Sequence, residues 1–83
     1  MDYSARSPAL QRLSRSEGKW ISYQMKLRGL TQKGVAAKAG KARDTVSNVL
    51  NGRISSAAVY SALQELLGYK SMAEMLAAAR SAA

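Results

Sequence analysis

A polar face that could exchange hydrogen bonds with a partner lies on the stretch between positions 43 and 51. At helical spacing its members fall on, or directly beside, one side of a helix: Arg43, Asp44, Thr45, Ser47, Asn48 and Asn51. A guanidinium can donate two hydrogen bonds to guanine, and a carboxamide can pair in the same way with adenine. If the partner is DNA, Arg43 and Asn48 are therefore predicted to be the main base-contacting residues. Asp44 could either accept a hydrogen bond from cytosine or interact only with the helix dipole.

Two short helices joined by a glycine turn must position this polar face. Thr31 is a favourable N-cap for the first helix, and Leu30 before it can pack against Val35. Gly40 ends that helix, because glycine adopts the left-handed conformation at little cost. The second helix has its apolar side opposite the polar face: Val46, Val49 and Leu50. Residues 31–52 are thus predicted to form a helix-turn-helix.

These residues and spacings resemble the lambda repressor-like helix-turn-helix family of phage repressors, Cro proteins and their bacterial relatives. The resemblance runs from about Trp20 to Gly68. It rests on nine positions in register: Thr31, Gln32, Ala36, Gly40, Thr45, Val46, Ser47, Asn51 and Gly52. The chain departs from the family pattern at Gly34, Lys41 and Ala42, and Ala42 leaves the second helix without the usual Ser or Thr cap.

The resemblance implies a function and a set of contacts. The second helix would be the recognition helix of a transcriptional regulator of phage or prophage repressor type, reading double-stranded DNA in the major groove. It places these side chains toward bases: Arg43, Asp44, Thr45, Ser47 and Asn48. It places Gln32, together with the loop residues Asn51, Arg53 and Ser55, toward phosphates. Lys33 and Lys41 flank the same surface, and we expect them to bind phosphates as well.

Composition agrees with a polyanionic partner. Of the 83 residues, 13 are Lys or Arg and 5 are Asp or Glu, so the net charge is +8. Cysteine and histidine are absent, which removes disulfides, thiolate metal sites and histidine-based catalysis. We expect no enzymatic activity, cofactor, metal or small-molecule ligand. With no membrane-length apolar run and no leader, the chain is expected to be cytoplasmic and nucleoid-associated.

Helical periodicity and capping signals predict an all-α, five-helix domain without strands. The predicted helices are 16–28, 31–39, 42–51, 56–67 and 71–80. In the first helix the apolar residues, including Trp20, Tyr23 and Leu27, are expected to be mostly core. In the fourth, Val59, Leu63, Leu66 and Leu67 form the apolar stripe, and Tyr60 lies off it.

Residues 1–15 contain three arginines and are predicted to be a flexible basic arm, with residues 16–83 forming the DNA-binding domain. The alternative for this segment is a disordered tail or a turn packed by Leu10 and Leu13. The arm could follow phosphates or enter the minor groove.

Assembly and alternative functions remain open from the sequence. The 71–80 helix has an apolar stripe that could support a weak homodimer, or could be used up in the monomer core: Met72, Met75, Leu76 and Ala79. The alternative function is a protein-interaction or antitoxin-like module with the same fold. An RNA or single-strand binder is a third reading, for which the scattered aromatics offer little support.

Overall fold

Five helices make up the part of the chain that the computed structural model describes, residues 11–82. They are α1 (Arg15–Leu27), α2 (Gln32–Ala39), α3 (Arg43–Leu50), α4 (Ala57–Leu67) and α5 (Met72–Ala82). No strand occurs between residues 11 and 82. The prediction of an all-α, five-helix domain is confirmed, and each predicted helix end lies within two residues of the observed one.

Side-chain caps fix where most of these helices begin. At α1 the Glu17 backbone N–H donates to the Ser14 hydroxyl at 3.1 Å, and the Ser14 N–H donates to the Glu17 carboxylate at 2.8 Å. At α4 the cap is the Ser56 hydroxyl, which accepts from Val59 N–H at 3.3 Å. At α5 the Ser71 hydroxyl accepts from the Glu74 N–H at 3.0 Å. These are bonds between residues three apart, so their sequence spacing could indicate them.

The turn between α2 and α3 depends on glycine. Gly40 has φ +69°, a conformation that a side chain disfavours. In this conformation the Lys41 N–H reaches back to the Ala36 carbonyl at 3.0 Å, and the Gly40 N–H reaches the Ala37 carbonyl. This is the hydrogen-bond pattern of a Schellman motif, which ends α2 and redirects the chain into α3.

One hydrophobic core joins all five helices. α1 packs on α3 and α5, α2 packs on α3 and α4, and α4 also contacts α5. The fully buried side chains with the largest volumes are Tyr60, Ile21, Leu63, Met75, Val35, Val46, Val49 and Val59. α2 packs against α4, α3 packs against α1, and the two helices also pack against each other. These contacts fix the position of α2 relative to α3.

The outer face of α1 differs from the expectation. The prediction that most apolar residues of α1 belong to the core is confirmed for Ile21, Met25 and Trp20. It is wrong for Tyr23 and Leu27, which are 58% and 60% exposed. α5 and α3 cover the opposite side of α1, where Ile21 and Met25 are buried. Trp20 is half-buried against the core, and its ring centroid lies 6.5 Å from that of Tyr69.

The prediction that Tyr60 lies off the apolar stripe of α4 is also wrong. Its side chain is fully buried, and its hydroxyl donates a hydrogen bond to the Gln11 carbonyl at 2.6 Å. Burial raises the pKa of the Tyr60 hydroxyl, with a smaller contribution from the negative charge of Glu17. The acceptor lies 49 residues away in sequence, which is why helical periodicity could not indicate this hydrogen bond.

The segment before α1 is part of the packed domain where the structure describes it. Leu13 is buried in the core, and Gln11 accepts the Tyr60 hydrogen bond. Residues 1–10, where most of the predicted basic arm falls, lie outside the described residues. The domain therefore includes at least four residues before the first helix.

The apolar stripe of α5 is used within the monomer. Met75 and Ala79 are fully buried and Leu76 is 6% exposed, while Met72 is half-buried against the core. A homodimer formed through these side chains would have to unpack α5 from α1, so the predicted dimer surface is wrong. Of the two readings of the stripe, closure of the monomer core is the one observed.

None of the helices within residues 11–82 combines the length and the apolar character needed to cross a membrane.

Candidate nucleic-acid interface

α3 is held in place by its apolar side, which packs into the core. Val46 and Val49 are fully buried and Leu50 is 6% exposed. The Leu50 carbonyl lies against Gly18 of α1, where a Cβ would come within 2.0 Å of the oxygen. Ala42 is the N-cap residue and supplies no side-chain hydrogen bond, as the sequence indicated. α3 is therefore positioned by packing against α1 and α2 rather than by a cap.

The polar side of α3 faces outward as a continuous surface. Arg43, Asp44 and Asn51 are exposed, and Thr45, Ser47 and Asn48 are half-buried. The side-chain hydrogen bonds of this face are local: the Asn51 amide donates to the Ser47 hydroxyl at 3.4 Å, and Arg53 donates to the Asn48 carbonyl oxygen at 3.3 Å. At these distances both are weak, so a partner can replace them at low cost. An α-helix with such a face fits the major groove of B-DNA.

The start of α2 offers unsatisfied backbone donors. The Thr31 hydroxyl accepts from the Gly34 N–H at 3.0 Å, which satisfies only one of the amides in the first turn. The N–H groups of Gln32 and Lys33 have no acceptor within the helix and lie at its positive end. The Gln32 side chain is half-buried and that of Lys33 is exposed. This combination suits an anionic oxygen.

The remaining predicted phosphate contacts fall in two places. Lys41 is exposed in the turn before α3, and Arg53 is exposed in the turn after it. Ser55 is half-buried and lines a different cleft, beside Leu13 and Ile54. The structure therefore brings Arg53 to the polar face of α3 through Asn48, whereas Ser55 lines the other cleft.

A second cleft contains basic residues that the sequence pattern did not single out as site residues. It lies between α1 and the end of α3 and has a volume of about 630 Å³. The basic residues that the sequence did not single out are Arg15 and Lys19, and they line the cleft together with the predicted phosphate contact Arg53. The spacing of Arg15, Lys19 and Ser22 along one face of α1 is visible in the sequence. The sequence does not show which element this face of α1 meets, because that depends on the close approach of Gly18 to Leu50 in the folded protein.

Carboxylates of the described region are mostly engaged away from α3. Glu65 pairs with Lys38 at 2.9 Å, and Glu17 contacts Arg80 at 3.4 Å. The backbone N–H of Ser14 holds the pKa of Glu17 below its ordinary value, and the Ser14 hydroxyl and Arg80 add to this, although burial opposes it. These acidic groups therefore do not neutralise the cations beside α3.

Comparison with known proteins identifies the family of the motif. A family model described as helix-turn-helix matches residues 21–75, a segment that begins in α1, includes α2, α3 and α4 completely, and ends in α5. The chain matches no curated protein sequence.

Proposed function

This chain belongs to the lambda repressor-like helix-turn-helix family of DNA-binding transcription regulators, and we propose that it reads a specific duplex sequence as phage and prophage repressors do. In this proposal α3 enters the major groove of B-DNA, and α2 lies across the backbone above it.

The observation that carries the proposal is the division of α3 into two sides. Its apolar side is fully used in the core, and its polar side makes only weak bonds to neighbouring residues. A polar outward side is usual for a surface helix. On α3 it belongs to the second helix of a helix-turn-helix, and the exposed cations Lys41 and Arg53 border it. Base edges in the major groove present donors and acceptors that this polar side can match.

Each predicted contact has a role in this arrangement. Arg43 and Asn48 make the principal base contacts, and Asp44, Thr45 and Ser47 are close enough along the helix to contact neighbouring bases. The proposed phosphate-binding residues lie around the ends of α2 and α3: Gln32, Lys33, Lys41, Asn51, Arg53 and Ser55. Backbone amides at the start of α2 add to these contacts.

Selection of bound duplexes from a random pool tests the proposal directly. We expect recovery of a defined site, and stronger binding to duplex DNA than to hairpin RNA or single strands at the same salt concentration. Arg43→Ala and Asn48→Ala should each weaken binding to the selected site by about 1 to 3 kcal/mol and relax the preference for the base concerned. Lys70→Ala, in the turn between α4 and α5, is the matched control and should leave the preference unchanged.

Two results would contradict this assignment. If Arg43→Ala lowers affinity equally for the selected site and for random DNA, Arg43 binds phosphate and not a base. If hairpin RNA or single strands compete as well as the selected duplex, the chain is not a duplex reader.

Residues that bind phosphates should affect duplex affinity differently from residues that bind bases. Replacing Lys33, Lys41 or Arg53 by Ala should weaken binding to all duplexes alike. The slope of log K against log salt concentration should become smaller by roughly one for each phosphate that the variant no longer binds. An unchanged slope would place that residue outside the interface.

We also propose that two copies pair on the DNA. A single recognition helix contacts only a few base pairs, and two half-sites about 34 Å apart give the specificity that a genome requires. Burial of Met75 and Leu76 favours pairing on DNA over a stable dimer through α5. Sedimentation of the free protein at micromolar concentration should then give a monomer, whereas a two-fold site should bind two copies cooperatively. A free dimer that withstands dilution would contradict this.

A further inference from the structure

The basic cleft beside the end of α3 is built by a close approach of two backbones. Gly18 allows α1 to contact the Leu50 carbonyl, because any side chain there would collide with it. Arg15, one turn before Gly18, and Lys19, the residue directly after it, then border the turn that follows α3. Arg15 and Lys19 therefore face Arg53 across a cleft of about 630 Å³.

The donors of this cleft are those that bind phosphate oxygens in protein–DNA complexes. Three cationic side chains line it together with the polar residues Ser22 and Asn51. Of residues 11–82, none with a carboxylate lines the cleft; Glu17 points to the other side of α1, where it bonds with Ser14 and Arg80. Cations gathered without a counter-charge raise the local positive potential and favour an anionic ligand.

Arg53 connects this cleft to the polar face of α3. It lines the cleft, and its guanidinium also donates to Asn48 at 3.3 Å. Asn51, at the end of the polar face, is a second residue shared by the two surfaces. With α3 in the major groove, the cleft lies beside its C-terminal end, where the sugar–phosphate backbone borders the groove.

We propose that Arg15 and Lys19 bind a backbone phosphate of the bound duplex, as an anchoring point that lies outside the helix-turn-helix. The inference rests on the proposed function, because it takes the orientation of α3 on DNA from it. Its consequence is that α1 is part of the DNA-binding surface and not only a support for α3.

The test compares salt dependence of duplex binding for three full-length variants: Lys19→Gln, Arg15→Gln and the control Lys70→Gln. All three residues are exposed and each variant removes one positive charge, so differences in net charge cancel. We expect the slope of log K against log salt to fall by up to about one in Lys19→Gln and Arg15→Gln, and to stay near the parent value in Lys70→Gln. Lys19→Arg should keep the parent slope. Unchanged thermal unfolding of each variant excludes an effect on folding.

The outcomes separate the two proposals. A parent protein with steep salt dependence, and variants at positions 15 and 19 that behave like Lys70→Gln, would overturn the phosphate contact and leave the proposed function intact. A parent that shows no salt-dependent duplex binding would overturn both.

Free phosphate in solution, and not only the DNA backbone, could bind in this cleft. A second experiment distinguishes the two. Duplex binding is measured in potassium phosphate and in potassium chloride of equal potassium concentration, because release of cations from the DNA sets the salt dependence. Equal weakening by the two salts supports a backbone phosphate as the ligand. Stronger inhibition by phosphate that disappears in Lys19→Gln would show that free phosphate competes with the duplex for this cleft, and would also support the contact. Stronger inhibition by phosphate that persists unchanged in both Lys19→Gln and Arg15→Gln would place the phosphate site elsewhere, and would overturn the proposal.

Discussion

The two helices of the helix-turn-helix are equally long but are held in different ways. α2 and α3 each contain eight residues. α2 is capped by Thr31 at its start and by Gly40 at its end, and Lys38 ties it to Glu65 of α4 at 2.9 Å. α3 has no side-chain cap at Ala42. Its position depends on its buried side and on the close contact with α1.

This difference separates stability from binding within one motif. In α2 the local polar groups stabilise the helix itself, so Thr31 and Gly40 are already engaged. In α3 the stabilising residues are apolar and buried, and the polar residues are left for a partner. We therefore expect the polar face of α3 to accept substitution with little loss of stability, whereas its supports should be sensitive.

The largest effect is expected at Gly18, the support of α3 on α1. Gly18→Ala places a Cβ 2.0 Å from the Leu50 carbonyl oxygen, so α1 and α3 must move apart. We expect the free energy of unfolding to fall by about 1 to 3 kcal/mol, although alanine is the better helix former. Urea unfolding followed by circular dichroism measures this.

Gly34→Ala is the matched control, because Gly34 is the other glycine within the described helices. Its nearest neighbour would be the Thr31 hydroxyl at 3.3 Å, and the stability change should stay below about 1 kcal/mol in either direction. A Gly18→Ala protein as stable as the parent would show that α3 does not depend on this contact.

Because α2 has a side-chain N-cap and α3 has none, substitutions at the two N-cap positions should change stability in opposite directions. Thr31→Ala should destabilise the protein by about 1 kcal/mol, because the Gly34 N–H loses its acceptor. Ala42→Ser should stabilise it by a similar amount, since Ala42 already has extended N-cap geometry with φ −72° and ψ 153°. Thermal unfolding of both variants measures the two shifts. Shifts of the same sign would contradict the comparison.

The stability of the protein should depend on pH through the capping box at the start of α1, the helix against which α3 packs at Gly18. In the folded protein the pKa of Glu17 is lowered, chiefly by the Ser14 N–H. The ionised carboxylate therefore contributes to the free energy of unfolding above the ordinary carboxyl pKa, and this contribution is lost as the pH falls through the pKa of the folded state. We expect the stability difference between the parent and Glu17→Gln to narrow from pH 7 to acidic pH. The measurement is a urea titration at each pH, and a constant difference would count against the carboxylate as the cause.

The smallest effect on stability is expected on the polar face of α3. Asn48→Ala removes only a weak bond with Arg53, so the free energy of unfolding should change by less than about 0.5 kcal/mol. Val49→Ala, at the next position but fully buried, is the matched control and should be clearly more destabilising. Equal losses of stability in the two variants would mean that the polar face is needed for the fold.

Helix existence and most helix ends could be predicted from the sequence because they depend on local interactions. The Ser14 and Thr31 caps each join residues three positions apart, and the Gly40 turn depends on one residue and its immediate neighbours. The division of α3 into an apolar and a polar side followed from helical spacing in the same way. The family and the candidate base-contacting residues follow from these features, since all of them lie within one contiguous stretch.

Contacts between distant parts of the chain were decided only by the tertiary structure. Tyr60 was predicted to lie off the apolar stripe, but it is packed in the core, where the carbonyl of Gln11, 49 residues away, accepts the hydrogen bond of its hydroxyl. Tyr23 remains exposed because α5 covers the other side of α1, and that same packing consumes the α5 stripe that could otherwise have formed a dimer. Periodicity tells which residues share a face of a helix, but the element that meets the face depends on how the helices cross.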